Sequence, residues 1–352
     1  MSEKRLKVLH IIDSLGLGGA EMLLLNSIND LENYTHVLVV LGKPEDLKDR
    51  VQADTKYYRL NFKGPLSFLA TYFKLKKIIS KEKPDIIHSH LYWSIILGRL
   101  VKKKAKFFFS LHGLIGQRTF RKNIVYRLIE KITISSSQHM IAVSETVYED
   151  YFRYISFKGN VSIIYNYVPD NFFTSRKTDY TLSDTLKIVT VGSLKAIKDH
   201  ETLIRAVSLL KEKYILDIYG CGENENRLRA LIAELNADVF LKGVEYSIPE
   251  LLPQYDLFIM SSVSEGHSIA LLEAMALGMP LVLSDISSFK ETTEDNAIFY
   301  RVGNKNDLKT KIEMIRSDIA LREKVAESCN AIARRYASKE KYLAQIKTVY
   351  EK

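Results

Sequence analysis

Two glutamates, Glu265 and Glu273, stand eight positions apart, with Gly266 and an apparent helix start at Ser268, Ile269 and Ala270 between them. A glycine turn running into a helix leaves unpaired N–H groups at the positive end of the helix dipole, which suits anionic oxygens. Glu265 falls on the loop at the mouth of such a site. Glu273 lies roughly 7–8 Å farther along the helix from Ser268, at 1.5 Å per residue. One carboxylate is thus placed for chemistry and the other for hydrogen bonds from a second part of the same ligand. Glutamates around a helix start more commonly serve as caps and solvated surface. Against that reading, Leu272 and Ala274 flank Glu273 with apolar or small neighbours.

The elements that must hold these residues are legible nearby. The run 256–261 reads as a buried strand ending in serines; Gly278 and Pro280 stop the helix, and 281–284 begins the next strand. Other chemistry-bearing residues also follow strand-like runs, where open α/β sheets bind ligands. After the first run come Gly16, Gly18 and Gly19, whose backbone can approach a ligand closely. A dinucleotide fingerprint starting at Gly16 would need glycine at position 21, where Glu21 stands, and the acidic ribose ligand about 20 residues on is missing, so a dehydrogenase is disfavoured. His112 ends a strand before Gly113, either as a turn residue or as a group in a site. His88 and His90 end another strand; the expectation is that they face opposite sides of the sheet and share no metal. No D-x-D occurs in the chain, so no metal or other cofactor is expected.

Strand-like runs at 7–12, 36–41, 85–88, 106–111, 139–143 and 161–165 alternate with helix-like stretches such as 20–31 and 68–81. A second series follows at 187–191, 215–219, 239–241, 256–260, 281–283 and 297–300. Continuous apolar strands alternating with helices imply parallel sheets covered on both faces. The α/β expectation is therefore two doubly wound domains, 1–170 and 171–337, with the polar stretch 169–184 marking the break. Residues 338–352 form a last helix whose sticky face carries Tyr342, Ile346, Val349 and Tyr350.

The 352 residues, 46% hydrophobic and 26% charged, suit two folded domains rather than disorder. Two cysteines without metal-ligand spacing fit a reducing compartment. Residues 1–5 run straight into a strand rather than a leader, and no apolar stretch reaches the ~18–20 residues of a membrane span. A cytoplasmic chain is expected, peripheral on the inner face of the cell membrane if it touches lipid. Residues 1–170 carry net charge +10 and residues 171–352 carry −1, making the total +9; the segment 62–131 alone holds 16 basic and 3 acidic side chains. A solvated helix face and a surface leaning on anionic lipid both account for this charge. Nucleic acid is disfavoured, because no recognisable module accompanies the charge.

The segment from Glu265 to Pro280 resembles the E-x7-E signature of retaining family 4 glycosyltransferases of the GT-B fold, whose form is close to E-G-x6-E-A-M-A-x-G-x-P. Every fixed position of that form is matched, and weaker matches extend the resemblance over nearly the whole chain. It implies two Rossmann-like domains facing across a cleft, acceptor on the first and donor on the second, with the last helix crossing back. It also implies transfer of a hexosyl or N-acetylhexosaminyl group from a nucleotide diphosphate-sugar, UDP by family frequency, to a saccharide or lipid-linked saccharide. Surface polysaccharide biosynthesis is the setting that follows. Glu265 inherits contact with the donor sugar, and Glu273 inherits the ribose hydroxyls. Gly266 and His267 are implied to bind the donor, and the amides of Ser268, Ile269 and Ala270 to meet its diphosphate. Gly18 and Gly19 resemble the G-G-A-E loop, whose amides approach that diphosphate, and His112 resembles the His beside the donor sugar. Lys198 matches the lysine of G-R-L-x-x-x-K, which neutralises the leaving group, but Ser193 replaces the arginine and removes one cation; either Lys195 or another basic group substitutes, or the leaving group relies more on Lys198 and backbone amides. Gly243 and Val244 resemble the loop near the nucleobase. Asn166 opens an element similar to N-G-V-D, although Tyr167 replaces its glycine. Two alternatives stand beside this reading: a sugar-nucleotide epimerase-like enzyme, and a non-catalytic sugar-nucleotide binding protein, which the loss at Ser193 makes conceivable.

Overall fold

The computed structural model describes residues 5–102 and 104–351. Residues 1–4 of the expected N-terminal run, Lys103 of the basic segment and Lys352 lie outside the described residues. The chain forms two units, Met1–Tyr165 with Tyr342–Lys352, and Asn166–Lys341.

The first unit holds seven strands: β1 Lys7–Ile12, β2 Thr35–Val40, β3 Lys56–Arg59, β4 Ile86–His90, β5 Lys106–Leu111, β6 Gln138–Ala142 and β7 Asn160–Ile163. They pair in the order β3-β2-β1-β4-β5-β6-β7, all parallel. Strand order reverses between β1 and β4. One face of this sheet is apolar, with Leu9, Ile11, Val37, Val39, Ile87, Phe107, Phe109 and Met140 in the core. The opposite face is studded with histidines, and residues of the last helix, Lys339–Glu351, pack on it. Tyr350 meets His88 there, Oη to Nδ1 at 2.6 Å, and Ser27 donates its hydroxyl to Tyr342 at 3.2 Å. The buried side chains of this helix are Tyr342, Ile346, Val349 and Tyr350, the four expected from its periodicity.

The second unit holds β8 Leu186–Val191, β9 Tyr214–Tyr219, β10 Val239–Gly243, β11 Leu257–Met260, β12 Leu281–Ser284 and β13 Ile298–Tyr300. These are parallel, in the order β10-β9-β8-β11-β12-β13, and reverse between β8 and β11. The α/β expectation of two doubly wound, Rossmann-like domains therefore holds.

Two details differ from the sequence reading. The edge strand β3 was not expected, because Lys56-Tyr57-Tyr58-Arg59 is only half-buried and shows no apolar run. The boundaries fall at 165/166 and 341/342 rather than 170/171 and 337/338. Residues 166–170 join the second unit because Asn166 bonds to His267, and the Val168 N–H donates to the Ala337 carbonyl at 3.2 Å.

Candidate functional site

Open parallel sheets bind ligands beyond the strand carboxyl ends, where the strand order reverses. In the second unit that point lies between the loops after β8 and β11, which carry Lys198 and Glu265. The loops are stitched together. Ser261 Oγ donates to the Lys198 carbonyl at 2.8 Å, and the Val263 N–H donates to the Ile197 carbonyl at 2.9 Å. Behind them, Ser284 at the end of β12 donates its hydroxyl to the Ser262 carbonyl at 2.5 Å.

On this frame Lys198 Nζ lies 2.5 Å from Glu265 Oε1, and Ser262 Oγ donates to the same oxygen at 2.8 Å. The side chains are only 16% and 15% exposed, so the pair is shielded but open to a ligand. Gly192 lies alongside the lysine's stem, where a Cβ would stand in ordinary contact, 3.4 Å, with Lys198 Cε. Ser193 occupies the same loop, half-buried.

The helix Ile269–Ala276 begins directly after Glu265. Ser268 caps it, its hydroxyl accepting from the Leu271 N–H at 3.4 Å. That leaves first-turn amides at Ile269 and Ala270 without intrahelical partners. One turn on, Glu273 is half-buried and has no hydrogen-bond or ion-pair partner among the described residues. Burial pushes its carboxyl up to about 8. An unpaired carboxyl held there against its solvation cost is a group awaiting hydrogen-bond donors. Folding keeps this proton up to about pH 8, whereas the unfolded chain loses it near the ordinary value of 4.5. The ligand-free protein should therefore lose stability as pH rises through that window. Glu273→Gln should remove this loss, so that the variant's Tm advantage over the wild type widens from pH 5 to pH 8. Parallel Tm–pH curves would refute the assignment.

His267 is placed inside rather than at the rim. Asn166 donates its N–H to His267 Nδ1 at 3.1 Å and its side-chain amide to the His267 carbonyl at 2.7 Å. Burial lowers the imidazole to about 3, so it is neutral and braces the turn. Gly243 ends β10 and Val244 follows it, two strands from the reversal, on the same carboxyl edge. The Gly220 N–H donates to the Gly243 carbonyl at 2.7 Å. Gly220 cannot be replaced there: its φ is +141°, and a Cβ would meet the Gly192 carbonyl oxygen at 2.0 Å.

Gly18, Gly19 and His112 belong to the first unit, also at its carboxyl edge. Gly18 precedes the helix Gly19–Asp30, and the Glu21 carboxylate folds back over it so closely that a Cβ would lie 2.2 Å from Oε2. Asp13, which the sequence reading passed over, joins the two central loops. It accepts from the Ser94 N–H at 2.7 Å, the Ser94 hydroxyl at 2.6 Å and the Trp93 N–H at 3.3 Å. Only the proximity of β1 and β4 reveals this role.

His112 Nε2 lies 3.2 Å from His90 Nδ1, while His112 Nδ1 is buried without a partner among the described residues. Burial lowers His112 to about 4, leaving it neutral. The expectation that His88 and His90 face opposite ways is corrected: side chains alternate along a strand, so residues i and i+2 share a face. Their rings are 4.1 Å apart, and His10 on β1 joins them, with ring nitrogens of the three all within 4.8 Å of one another. His88, however, is already satisfied by the Tyr350 and Ser110 hydroxyls, at 2.6 and 2.7 Å.

Comparison with known proteins gives the family and the fold. The family model described as Glycosyltransferase Family 4 matches residues 17–172, and that described as Glycosyl transferases group 1 matches residues 174–331. The chain is 22% identical over 312 residues to N-acetyl-alpha-D-glucosaminyl L-malate synthase of Bacillus anthracis, covering 82% of this chain and 80% of that one. It is 27% identical over 306 residues to N,N'-diacetylbacillosaminyl-diphospho-undecaprenol alpha-1,3-N-acetylgalactosaminyltransferase of Campylobacter jejuni, covering 78% and 81%. Among solved structures, Anabaena Alr3699/HepE in complex with UDP and glucose superposes with TM-score 0.84 at 17% identity, covering 99% of this chain and 100% of that one. With matching models over both halves and the Lys198–Glu265 pair at the switch point of the second, the chain belongs to the family 4 glycosyltransferases of the GT-B fold.

Proposed function

We propose that this glycosyltransferase moves a sugar from UDP to a hydroxyl of a lipid-linked saccharide, with retention of anomeric configuration, during surface polysaccharide assembly. The observation that carries the reading is the Lys198–Glu265 pair beside the open first turn of the 269–276 helix. The Ile269 and Ala270 amides and Lys198 receive the diphosphate, where negative charge grows as the sugar–phosphate bond breaks. Glu265 holds the sugar hydroxyls and steadies positive charge at the anomeric carbon. Glu273 accepts the ribose hydroxyls, and the Gly243–Val244 turn lies toward the base. Ser193 brings no cation, so Lys198 and the amides carry the leaving-group charge. Within the first unit, taken by itself, Gly18 and Gly19 are the proposed contacts for phosphate oxygens and His112 the proposed contact for a sugar hydroxyl. Because His112 is neutral and tied to His90, it acts as a hydrogen-bonding group and not as a cation.

The choice of UDP draws on the Anabaena complexes with UDP and with UDP-glucose. The choice of acceptor draws on relatives such as UDP-Gal:alpha-D-GlcNAc-diphosphoundecaprenol alpha-1,3-galactosyltransferase of Escherichia coli, 26% identical over 60% of this chain. A thermal-shift panel of UDP-, GDP-, ADP- and TDP-sugars, followed by NMR assignment of the product anomer, tests the reading. Stabilisation by UDP-sugars and a product of the donor's own anomeric configuration are expected. An inverted product, or binding without turnover on any acceptor, defeats it. Chelation should leave turnover within about twofold, since Lys198 and amides occupy the place a divalent cation would take on the diphosphate. A tenfold loss with EDTA, restored by metal, would contradict that.

A further inference from the structure

The five most exposed large apolar side chains among the described residues all lie in the first unit, on or just before two helices. Leu66 is fully exposed in the turn that leads into the helix Phe68–Glu82, where Leu69 and Phe73 are 71% and 63% exposed. Spacing of i, i+3 and i+7 puts them on one stripe. On the helix Ile124–Thr133, Ile124, Leu128 and Ile132 recur every four residues and are 59%, 52% and 80% exposed, with Val125 beside them. A surface helix ordinarily turns such a stripe inward. Here the inward faces are already filled by other side chains, including Leu75, Ile78 and Ile79 on the first helix and Glu130 on the second.

Cations rim both stripes. Lys63, Lys74, Lys76 and Lys77 flank the first, and Arg121, Lys122 and Lys131 the second, all exposed. The three acidic residues of the segment 62–131 offset none of this outward charge. Glu82 is buried against Lys56 and Lys7, Glu130 is buried against Arg99, and Asp85 accepts the Lys7 N–H at 2.9 Å. Apolar residues ringed by unopposed lysines suit a partner that is oily inside and anionic at its surface.

The placement links this surface to chemistry. In a parallel α/β unit the helix N-termini lie at the strand carboxyl ends; Leu66, Leu69, Ile124 and Val125 lie at or just before those ends, Phe73 and Leu128 one turn on, and Ile132 at the far end of its helix. A chain of rings, Phe68–Trp93 at 6.3 Å and Trp93–Tyr126 at 5.6 Å, joins the starts of the two helices. The Trp93 N–H in turn bonds to Asp13 in the loop after β1.

We infer that the two stripes form a membrane-seating surface: Leu66, Leu69, Phe73, Ile124, Leu128 and Ile132 enter the headgroup region of an anionic bilayer while the surrounding lysines bind its phosphates. No described helix is long and apolar enough to cross a membrane, so this is a surface attachment. It deepens the lipid-linked acceptor reading and rests on it for purpose, since it would hold the first unit's carboxyl edge at the lipid surface where such an acceptor is displayed.

The test is co-sedimentation of the full chain with phosphatidylcholine vesicles, with or without about one-third phosphatidylglycerol. Partition is expected only with the anionic lipid, and should weaken with salt as screening shortens the reach of the lysines. The triple variant L69S/L128S/I132S should lose more than about tenfold in partition, since a single apolar side chain withdrawn from water is worth about that factor. Its Tm and its turnover on a short-chain soluble acceptor should match the wild type. K76E/K77E/K122E should lose binding even at low salt. Wild-type protein that stays in solution at low salt overturns the inference. So does a triple variant that partitions normally, or one whose only change is from dimer to monomer in sedimentation velocity, which would make the face a self-interface. Vesicle binding needs no substrate, so binding without turnover of lipid-linked acceptors sinks the acceptor reading alone. Turnover of such acceptors in detergent without vesicle binding sinks this inference alone.

Discussion

Lys198→Met is expected to lower kcat by about 10²–10³-fold, because removing one preorganised group from a developing oxyanion typically costs ~2.7–4 kcal/mol. The loss should exceed that average for two reasons seen in the site. Ser193 supplies no second cation, and Lys198 is the donor that holds Glu265 Oε1 at 2.5 Å. With the lysine gone, a half-buried carboxylate faces the incoming diphosphate with only the Ser262 hydroxyl to balance it. Glu265→Gln keeps the shape and the Ser262 hydrogen bond, so its loss should fall on kcat rather than on nucleotide affinity. Because the two residues share one contact, the double variant should be much less than the product of the singles. Single-turnover kinetics and calorimetry with UDP measure the split. Wild-type turnover in either variant would remove the pair from the mechanism.

The largest stability effect is expected in the first unit, at Arg99 and Glu130. Arg99 Nη1 lies 2.7 Å from Glu130 Oε1, with side chains 1% and 3% exposed. Tyr151 donates its hydroxyl to the same carboxylate at 2.5 Å, and the guanidinium lies over the Phe109 ring at 4.5 Å. Arg99 Nε and Nη2 have no hydrogen-bond partner among the described residues, so the pair is incompletely satisfied even when intact. Glu130→Leu would strand a buried guanidinium and should cost about 3–5 kcal/mol. Arg99→Met combined with Glu130→Leu should recover most of that, because well-packed apolar replacements of buried ion pairs are often neutral. Denaturant midpoints of the first unit's transition are the readout. A double variant as unstable as the single would show that the pair contributes more than mutual charge cancellation. Since Glu130 sits on the helix bearing the exposed stripe, its loss should also disturb vesicle binding, which the surface variants should change without loss of Tm.

Much of the fold is legible because parallel strands are buried on both faces and so read as unbroken apolar runs. β1 and β5 fall on the expected residues, and β11 and β12 lie within one residue of them. β3 escaped because an edge strand with a half-exposed face need not be apolar. The Glu265–Glu273 spacing pointed to the site for a local reason: strand, glycine turn and helix start are contiguous in sequence. Residues that act through a neighbouring strand left no such trace. Asp13 reaches residues 93 and 94 only because β1 and β4 pair side by side, and Asn166 reaches His267 only because the segment after β7 folds into the second unit.

By itself, then, the order of residues determined the two α/β units and the carboxyl-end loops, written in short-range periodicity and turn chemistry; the same turn chemistry singled out Glu265 and Glu273 as candidates, while Lys198 was named only by its resemblance to the family motif. Tertiary structure alone decided which of those groups meet, that Glu273 is half-buried and unpaired, that six of the eight histidines lie in one unit with His10, His88 and His90 clustered, and that two apolar stripes stay outside. The reason is physical: burial and partnership depend on what packs against a side chain, and that neighbour is usually supplied by chain tens to hundreds of residues away.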